Sequence, residues 1–310
     1  MLNSQYCVFN DGFAIWFDGN SHIDIHINEW IHKKSNYIDL GTRIYNTNNI
    51  HNGHIFIPFK LSLNEIKDLS EHFKVEETAR GIFNTSCKIT IPANNPIIKI
   101  EYNNRIENII PFAMLNPQIS DIDDGVLIQL SFDGVIPQLD TQETYLRFRI
   151  PHKSLNEHIN SLKHNYKTVI ESPIISDKIY YTMRINELRS LPSTLRFPLN
   201  DYQQIQKIIL TLSVNHEYAI DDANCYKIRK LEYDLFHKYV PSFFDCNDTI
   251  SYQWIDDRHN KHYNFFVKLE TKKILYKSIL LYALLVILLS FLGNFLWKLL
   301  TMIPFLKWLQ

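Results

Sequence analysis

Apolar and polar side chains alternate over short runs through the first 270 residues of the chain. These runs are rich in β-branched and aromatic residues, and several have a period of two, which is typical of β-strands. The predicted strands are residues 6–9, 13–17, 23–27, 55–59, 88–91, 97–102, 126–132, 145–150 and 263–269. Between His22 and Asn28 isoleucines occupy every second position, so one face of this strand is expected to point into a core. The pattern predicts a fold that is mainly β with some α.

Two parts of the chain carry the same motifs in the same order. The first part has Asp11-Gly12, Phe17-Asp18-Gly19, Ile57-Pro58 and Ser62-Leu63-Asn64-Glu65; the second has Asp124-Gly125, Phe132-Asp133-Gly134, Ile150-Pro151 and Ser154-Leu155-Asn156-Glu157. Asp-Gly favours a tight turn between strands, and Ser-x-x-Glu favours a capping box at the start of a helix. If the match is not a coincidence, it predicts two tandem β-sandwich-like modules, residues 1–120 and 121–270.

Short helices are predicted within these modules. The two capping boxes place helices at about residues 63–73 and 155–165. Asn200 and Gln203 suggest another cap, which opens a helix over residues 202–209. Residues 226–239 also have a helical pattern, which ends before Pro241.

An uncharged run of 20 residues extends from Ser278 to Trp297. As a helix with a rise of about 1.5 Å per residue it would be about 30 Å long, which matches the hydrocarbon core of a bilayer. A buried core helix is the alternative, but such helices rarely run this long without a charge. Residues 271–310 are therefore predicted to hold one transmembrane helix and a short interfacial tail.

The predicted transmembrane helix has two different halves around its circumference. Large apolar side chains occupy one half, as expected for contact with lipid. The polar and small residues lie on the other half, together with Val286 and the aromatic side chains of Tyr282 and Trp297: Ser278, Tyr282, Ala283, Val286, Ser290, Gly293, Asn294 and Trp297. Small residues allow close helix packing and polar ones bond across helices, so this half predicts a homo-oligomer. Either several copies form a gated pore with Ser290 and Asn294 facing its lumen, or they pack without conducting.

Lysine residues give the predicted orientation. Four precede the apolar run and two follow it: Lys268, Lys272, Lys273, Lys277, Lys298 and Lys307. The excess on the N-terminal side predicts a single-pass protein of the cell inner membrane with a cytosolic N-terminal domain. The absence of a basic start followed by an apolar stretch, and of any CxxC pair among the four cysteines, agrees with a reducing compartment.

Composition excludes several classes of function. The 32 basic and 33 acidic residues balance, so overall charge gives no reason to expect nucleic-acid binding. With 8 glycines in 310 residues and neither GxGxxG nor GxxxxGK[ST], the chain has no dinucleotide or P-loop motif, and no cofactor is predicted. Neither GxSxG nor HExxH occurs, so no enzyme is predicted, and a membrane-tethered hydrolase is the weaker third alternative.

Two basic sets are candidates for a nucleotide or oligonucleotide ligand. Tyr145, Arg147 and Arg149 share one strand face, where guanidinium groups could grip phosphate and the ring could stack on a base. The second set, on a predicted helix, is Lys227, Arg229 and Lys230. A solvated surface is the alternative for each set.

Three residues of the isoleucine strand raise the question of a metal. His22, Asp24 and His26 project from its other face, but no third cluster of ligands accompanies them, so we expect a solvated outer face and no metal site.

The layout of a cytosolic β-rich domain joined to minimal transmembrane machinery resembles that of membrane effectors in bacterial antiphage defence, such as the Hailong-type ion-channel effectors. The resemblance covers the order of the parts and no individual motif. It implies a homo-oligomeric channel or membrane disruptor, held closed until a regulatory partner or ligand acts on the cytosolic domain. The alternative function is a tail-anchored binding or scaffold protein that recruits a partner to the lipid bilayer.

Overall fold

A computed structural model describes residues 4–19, 21–32, 34–93, 95–103, 105–139, 141–162, 174–200, 205–220, 225–274 and 276–302. The strands in these residues are β1 (Ser4–Phe17), β2 (Ile23–Ile31), β3 (Tyr37–Ile44), β4 (Asn52–Ile57), β5 (Lys67–Asp68), β6 (Lys88–Thr90), β7 (Ile98–Tyr102), β8 (Arg105–Ile109), β9 (Gln118–Ile122), β10 (Gly125–Ser131), β11 (Thr144–Pro151), β12 (Ile174–Ile185), β13 (Ile205–Asn215), β14 (Tyr218–Ile220), β15 (Lys227–Lys230), β16 (Thr249–Asp256) and β17 (Tyr263–Ile274). The α-helices are α1 (Glu76–Phe83), α2 (Lys153–Leu162), α3 (Ser193–Asn200), α4 (Tyr233–Phe236) and α5 (Tyr276–Met302).

The described strands form two sheets that enclose one main hydrophobic core. The first sheet has the order β14-β17-β12-β1-β4-β10-β9. The second has the order β15-β16-β13-β2-β3-β11-β8-β7-β6, with β5 also paired to β11. Phe13 and Ile15 of the first sheet belong to the same buried cluster as Ile25 and Ile27 of the second. The prediction of a mainly β fold with one apolar C-terminal helix is confirmed, and every predicted strand overlaps an observed one.

The two predicted modules, residues 1–120 and 121–270, are interleaved rather than separate. In the first sheet β1 pairs in parallel with β12, and in the second sheet β2 pairs in parallel with β13. The two Phe-Asp-Gly segments end strands on either side of β4, and the rings of Phe17 and Phe132 meet edge to face at 5.9 Å. The proposed boundary at residue 120 therefore divides both sheets and their common core.

The structure does contain a repeated chain path, although it differs from the predicted repeat. Strands β1, β2, β3 and β4 run from the first sheet to the second, form a hairpin there, and return. Strands β12, β13, β16 and β17 follow the same route, with β16 paired to β13 and β17 to β12. The parallel pairs β1–β12 and β2–β13 join the two halves at the middle of each sheet.

The predicted helices are only partly correct. Helix α2 confirms the prediction at residues 155–162, whereas 163–165 lie outside the described residues. Instead of a helix over 63–73, a 3-10 turn at Leu63–Glu65 has the expected capping box, in which the Glu65 carboxylate accepts hydrogen bonds from the backbone and side chain of Ser62. The chain then pairs with β11 as β5, and the Asp68 carboxylate accepts from the backbone N–H groups of Ser70 and Phe112. A 3-10 helix follows at Ser70–Lys74, so only the two ends of the predicted segment are helical.

Two further predicted helices are wrong, because tertiary pairing makes their residues strands. Residues 205–209 belong to β13, where Ile208, Leu210, Leu212 and Val214 point into the core at every second position; residues 202–204 are not described. Residues 227–230 form the edge strand β15 on β16, and only Tyr233–Phe236 is helical in the segment 226–239.

Helix α5 has an apolar surface that no described residue covers. Its span Ile279–Leu300 has 22 residues with a mean hydropathy of 2.5, and none of these residues is buried. The helix is thus long and apolar enough to cross a membrane.

The pairing of the two halves makes a prediction about fragments. Residues 1–120 alone are expected not to fold, because β1 and β2 would lose the strands that lie beside them at the centre of each sheet. Residues 1–274 are the matched control and should fold, since the apolar span of α5 buries no side chain against the domain. Circular dichroism during heating would measure this; cooperative unfolding of the 1–120 fragment would contradict the shared core.

Candidate ligand-binding site

The candidate site lies on the outer face of the second sheet, opposite the main core. Asp24, His26 and Asn28 of β2 alternate with the core isoleucines and project from this face. A second apolar cluster, which includes Phe236 of α4 and Tyr239, packs over part of the same face. Asp24 is therefore only 2% exposed and His26 only 7%, so the predicted solvated face is wrong for both, whereas His22 is exposed.

A cavity of about 370 Å³ remains between this face, the C-terminal end of α1 and the edge strand β15. We call it the cationic cavity because five of its side chains are Arg or Lys. The lining residues are Asp24, His26, Ile27, Asn28, Arg43, Gly81, Ile82, Phe83, Asn84, Arg147, Lys207, Ile209, Thr211, Tyr226, Lys227, Arg229, Leu231, Phe236, Tyr239, Ser251, Gln253 and Ile255. Its volume is within the range of about 300–1,000 Å³ that is usual for small-molecule sites.

Strand register explains how distant parts of the sequence meet in the cavity. Lys207 on β13 lies opposite Asp24 on β2, and Asp24 lies opposite Arg43 on β3. On the other side, Lys227 and Arg229 of β15 lie opposite Gln253 and Ser251 of β16. The order β15-β16-β13-β2-β3-β11 thus brings side chains from six strands onto one surface.

Two of the cavity arginines are held by other groups of the protein. Arg43 donates from Nε to Glu107 at 2.7 Å and lies 3.6 Å from Asp24. Arg147 donates from Nε to the Tyr239 hydroxyl at 2.7 Å and from Nη1 to the Tyr145 hydroxyl at 2.8 Å. These bonds fix both guanidinium groups, so they form rigid parts of the wall.

The other three cations have no carboxylate within ion-pair distance among the described residues: Lys207, Lys227 and Arg229. Arg229 lies over the ring of Phe236 at 5.3 Å, and burial lowers its pKa. Asp24 is the one carboxylate among the lining residues, so the described wall carries a clear excess of positive charge. Such a wall favours an anionic ligand.

The inner end of the cavity contains two buried polar atoms without a hydrogen-bond partner. The Asp24 carboxylate accepts from the Tyr45 hydroxyl through Oδ2 at 2.6 Å, but its Oδ1 is unpaired. His26 contacts the Tyr145 hydroxyl through Nδ1 at 3.2 Å, but its Nε2 is unpaired. Burial raises the pKa of Asp24, and it lowers the pKa of His26 well below its ordinary value, so His26 is neutral at pH 7. Unpaired buried polar groups are costly, and a ligand could satisfy both.

Beside the cavity, a buried network surrounds the carboxylate of Asp39. Arg149 donates from Nη2 to Asp39 at 2.9 Å, the Tyr239 hydroxyl donates at 2.6 Å, and the Trp30 indole N–H donates at 2.9 Å. Burial alone would raise the pKa of Asp39, but the attraction and hydrogen bonds of Arg149 outweigh it and the net pKa lies below the ordinary value. The network ties Tyr239, and with it the covering segment, to the sheet.

The structure thus divides the first predicted basic set. Tyr145, Arg147 and Arg149 do share one face of β11, but all three are buried, so the alternative of a solvated face is wrong. Only Arg147 lines the cavity; Tyr145 supports Arg147 and His26, and Arg149 belongs to the Asp39 network.

The second predicted set comes together with the first at the cavity. Lys227 and Arg229 line it, whereas Lys230 does not. Sequence reasoning missed Arg43 and Lys207, which lack a local motif; the polar positions between the isoleucines of β2 were the available signal.

Among the described residues no cluster of three or more His, Cys, Asp or Glu could hold a metal ion.

The predicted interface residues lie on α5, which the structure describes as a single helix. Tyr282, Ala283, Val286, Ser290, Gly293, Asn294 and Trp297 are all exposed, and the side chain of Ser278 lies outside the described residues. The Ser290 hydroxyl donates to the carbonyl oxygen of Val286 at 2.9 Å, so it is satisfied within its own helix.

Replacing Asp39 tests the buried network. Asp39→Asn leaves two buried guanidinium groups with less compensating charge, so the free energy of unfolding should fall by about 3–5 kcal/mol. The control is Asp121→Asn, which removes the exposed ion pair with Lys60 and should cost less than about 1 kcal/mol. Urea unfolding would measure both; equal small losses would contradict a structural role for the network.

Acidification should reduce the difference between Asp39→Asn and the wild type. The pKa of Asp39 is lower in the folded protein than in the unfolded chain, where it is about 3.9. Its stabilising contribution is therefore fully present above about pH 4 and is lost as the pH falls through the lowered pKa. Urea unfolding at several pH values would show this; a constant difference between the two proteins down to acid unfolding would contradict it.

Comparisons with protein-family models, curated proteins and solved structures found no match to this chain. The interpretation of the site therefore depends on its own geometry: a cavity with an excess of positive charge, two unpaired polar atoms at its inner end and aromatic rings in its wall.

Proposed function

We propose that the protein is a membrane effector in which α5 self-associates into a gated ion channel or membrane-disrupting pore, controlled by the β-rich domain. The observation that carries the proposal is the fully exposed apolar span Ile279–Leu300 attached to a large β-rich domain. Exposed apolar surface of this length is stable in a bilayer and unfavourable in water. The lysines before the span favour a cytosolic domain at the inner membrane.

Self-association is supported by one half of the α5 surface. Gly293 has no atoms of the described structure within 4 Å of the place where a side chain would begin, so a second helix could approach closely there. Asn294 has no hydrogen-bond partner among the described residues, whereas Ser290 bonds to its own helix. An unpaired amide in hydrocarbon is costly, so Asn294 is the stronger candidate to bond to another copy or to face a water-filled lumen.

Control of the helix by the domain is supported by the chain path. Strand β16 contributes Ser251, Gln253 and Ile255 to the cationic cavity. The next strand, β17, ends at Ile274, and α5 begins at Tyr276, with a single residue between them in the sequence. Trp254 of β16 and Phe265 of β17 meet edge to face at 4.6 Å, so the wall of the cavity contacts the strand that leads into the membrane. A ligand that shifts β16 would act on the helix through this contact.

The order of these parts resembles that of antiphage membrane effectors, and a role in such defence belongs to the proposal. Because such effectors act by permeabilising their own cell, expression of the full-length protein should depolarise cells once the pore opens.

Conductance of purified full-length protein in planar bilayers, with the oligomer mass measured in detergent, tests the pore. Asn294→Leu should weaken self-association about tenfold, because a hydrogen bond between membrane helices contributes about 1–2 kcal/mol, and should alter the conductance. The matched control is Phe291→Leu on the lipid-facing half, which should leave both unchanged.

The scaffold alternative predicts a different outcome. If the protein only recruits a partner, residues 1–274 fused to an unrelated membrane anchor should retain full cellular function. Full function of that chimera, together with intact membrane potential during expression of the wild type, would exclude the pore.

A further inference from the structure

The edge strand β15 gives one end of the cationic cavity a positive charge that suits an anionic group of a ligand. Lys227 and Arg229 are two residues apart on the edge strand β15, so both side chains leave the same face of the strand and line the cavity. Neither has a carboxylate partner within ion-pair distance among the described residues. A half-buried guanidinium without a carboxylate at ion-pair distance is unfavourable, and a phosphate group could accept hydrogen bonds from it and be compensated by the charges of both side chains.

The inner end of the cavity has groups of a different kind. Asp24 Oδ1 is a free acceptor, and it lies two residues from His26 on the same face of β2. Since Arg147 donates to the Tyr145 hydroxyl, the hydroxyl hydrogen can be donated to His26 Nδ1, which leaves the proton of the neutral ring on Nε2. The unpaired Nε2 is then a donor, so this face of β2 offers one unpaired acceptor and one unpaired donor, two residues apart, to the polar groups of a ligand.

Apolar and aromatic groups line the space between these two ends. Ile209 and Ile255 form part of the wall on β13 and β16, and Phe83 lies at the end of α1. Tyr226 also lines the cavity and is 73% exposed, so its ring is free to stack on a planar group. Stacking on aromatic side chains is a common way in which proteins bind a base without selecting its identity.

We propose that the cationic cavity binds a nucleoside monophosphate, with its phosphate on Lys227 and Arg229 and the edge of its base on Asp24 and His26. The cavity volume of about 370 Å³ suits one nucleotide and is too small for an oligonucleotide. The aromatic rings of Phe83 and Tyr226 in the wall favour a planar heterocycle over the sugar-like head group of a phosphorylated lipid. This inference deepens the proposed function, because the nucleotide would be the signal that acts on α5, but binding can be measured whether or not α5 conducts.

Isothermal titration of the full-length protein in detergent with the four ribonucleoside 5′-monophosphates tests the proposal. At least one should bind at least tenfold more tightly than inorganic phosphate. Arg229→Gln should weaken that binding at least tenfold, since it removes a charged hydrogen-bond donor to phosphate. The control Lys88→Gln removes an exposed lysine of β6 that does not line the cavity, and should change the affinity less than twofold.

Asp24→Asn tests the base end of the site separately. It should change the order of preference among the four nucleotides while leaving the affinity for inorganic phosphate within twofold, because it alters a hydrogen-bonding group and keeps the cations of β15. Circular dichroism would establish that each variant is folded. An unchanged order of preference in the folded variant would overturn the assignment of the base to Asp24.

Several other results of the binding measurements would overturn or limit the nucleotide proposal. Absence of binding by all four nucleotides, equal affinity for nucleotides and inorganic phosphate, or undiminished binding by Arg229→Gln would each overturn the proposal. Tighter binding of inositol 1,4,5-trisphosphate than of any nucleotide would show a site for a lipid head group instead. Nucleotide binding without an effect on conductance would uphold the ligand and reject only its control of the pore.

Discussion

The buried carboxylate of Asp39 holds together the part of the structure on which the cationic cavity depends. Arg149 pairs with it from the neighbouring strand, and Tyr239 and Trp30 donate to it from the covering segment and from β2. A buried carboxylate is stable only when its lone pairs are satisfied, and here three side chains satisfy them. Because Tyr239 also receives a hydrogen bond from Arg147, the same contacts fix the covering segment and one wall of the cavity.

A glycine on β3, Gly41, provides the space that this arrangement needs. A Cβ at Gly41 would collide with the Tyr145 hydroxyl and lie 3.2 Å from Nη1 of Arg147. Glycine at this position of β3 therefore lets both side chains lie across the strand, where Tyr145 reaches His26 and Arg147 reaches the cavity. On the outer face of the sheet, the polar groups around Asp39 are thus hydrogen-bonded, whereas two polar atoms beside them, on Asp24 and His26, are unpaired. That contrast within one buried surface supports the proposal of a ligand at the cavity.

The membrane helix and the cavity belong to one continuous piece of backbone. The wall strand β16 precedes β17, which pairs with β12 in the first sheet and ends at Ile274, close in sequence to the start of α5 at Tyr276. Since β12 pairs with β1 in parallel, the strand before the helix is held by a sheet built from both halves of the chain. The strand that precedes α5 is therefore paired within the sheet as far as Ile274.

Features that depend on neighbouring residues could be predicted from the local pattern of the chain. The strands follow from β-branched and aromatic runs, the capping box at Ser62 follows from two side chains three residues apart, and the apolar span of α5 follows from its lack of charge. Period-two alternation also showed that Asp24 and His26 share a face, but alternation does not reveal what covers that face. The segment at residues 205–209 looked helical from a cap-like motif, yet pairing with β2 made it a strand and placed Lys207 beside Asp24. The meeting of Arg147, Lys207 and Arg229 in one cavity could not be predicted from local pattern, because strand order between distant segments is set by packing and pairing across the whole domain rather than by neighbours in the chain.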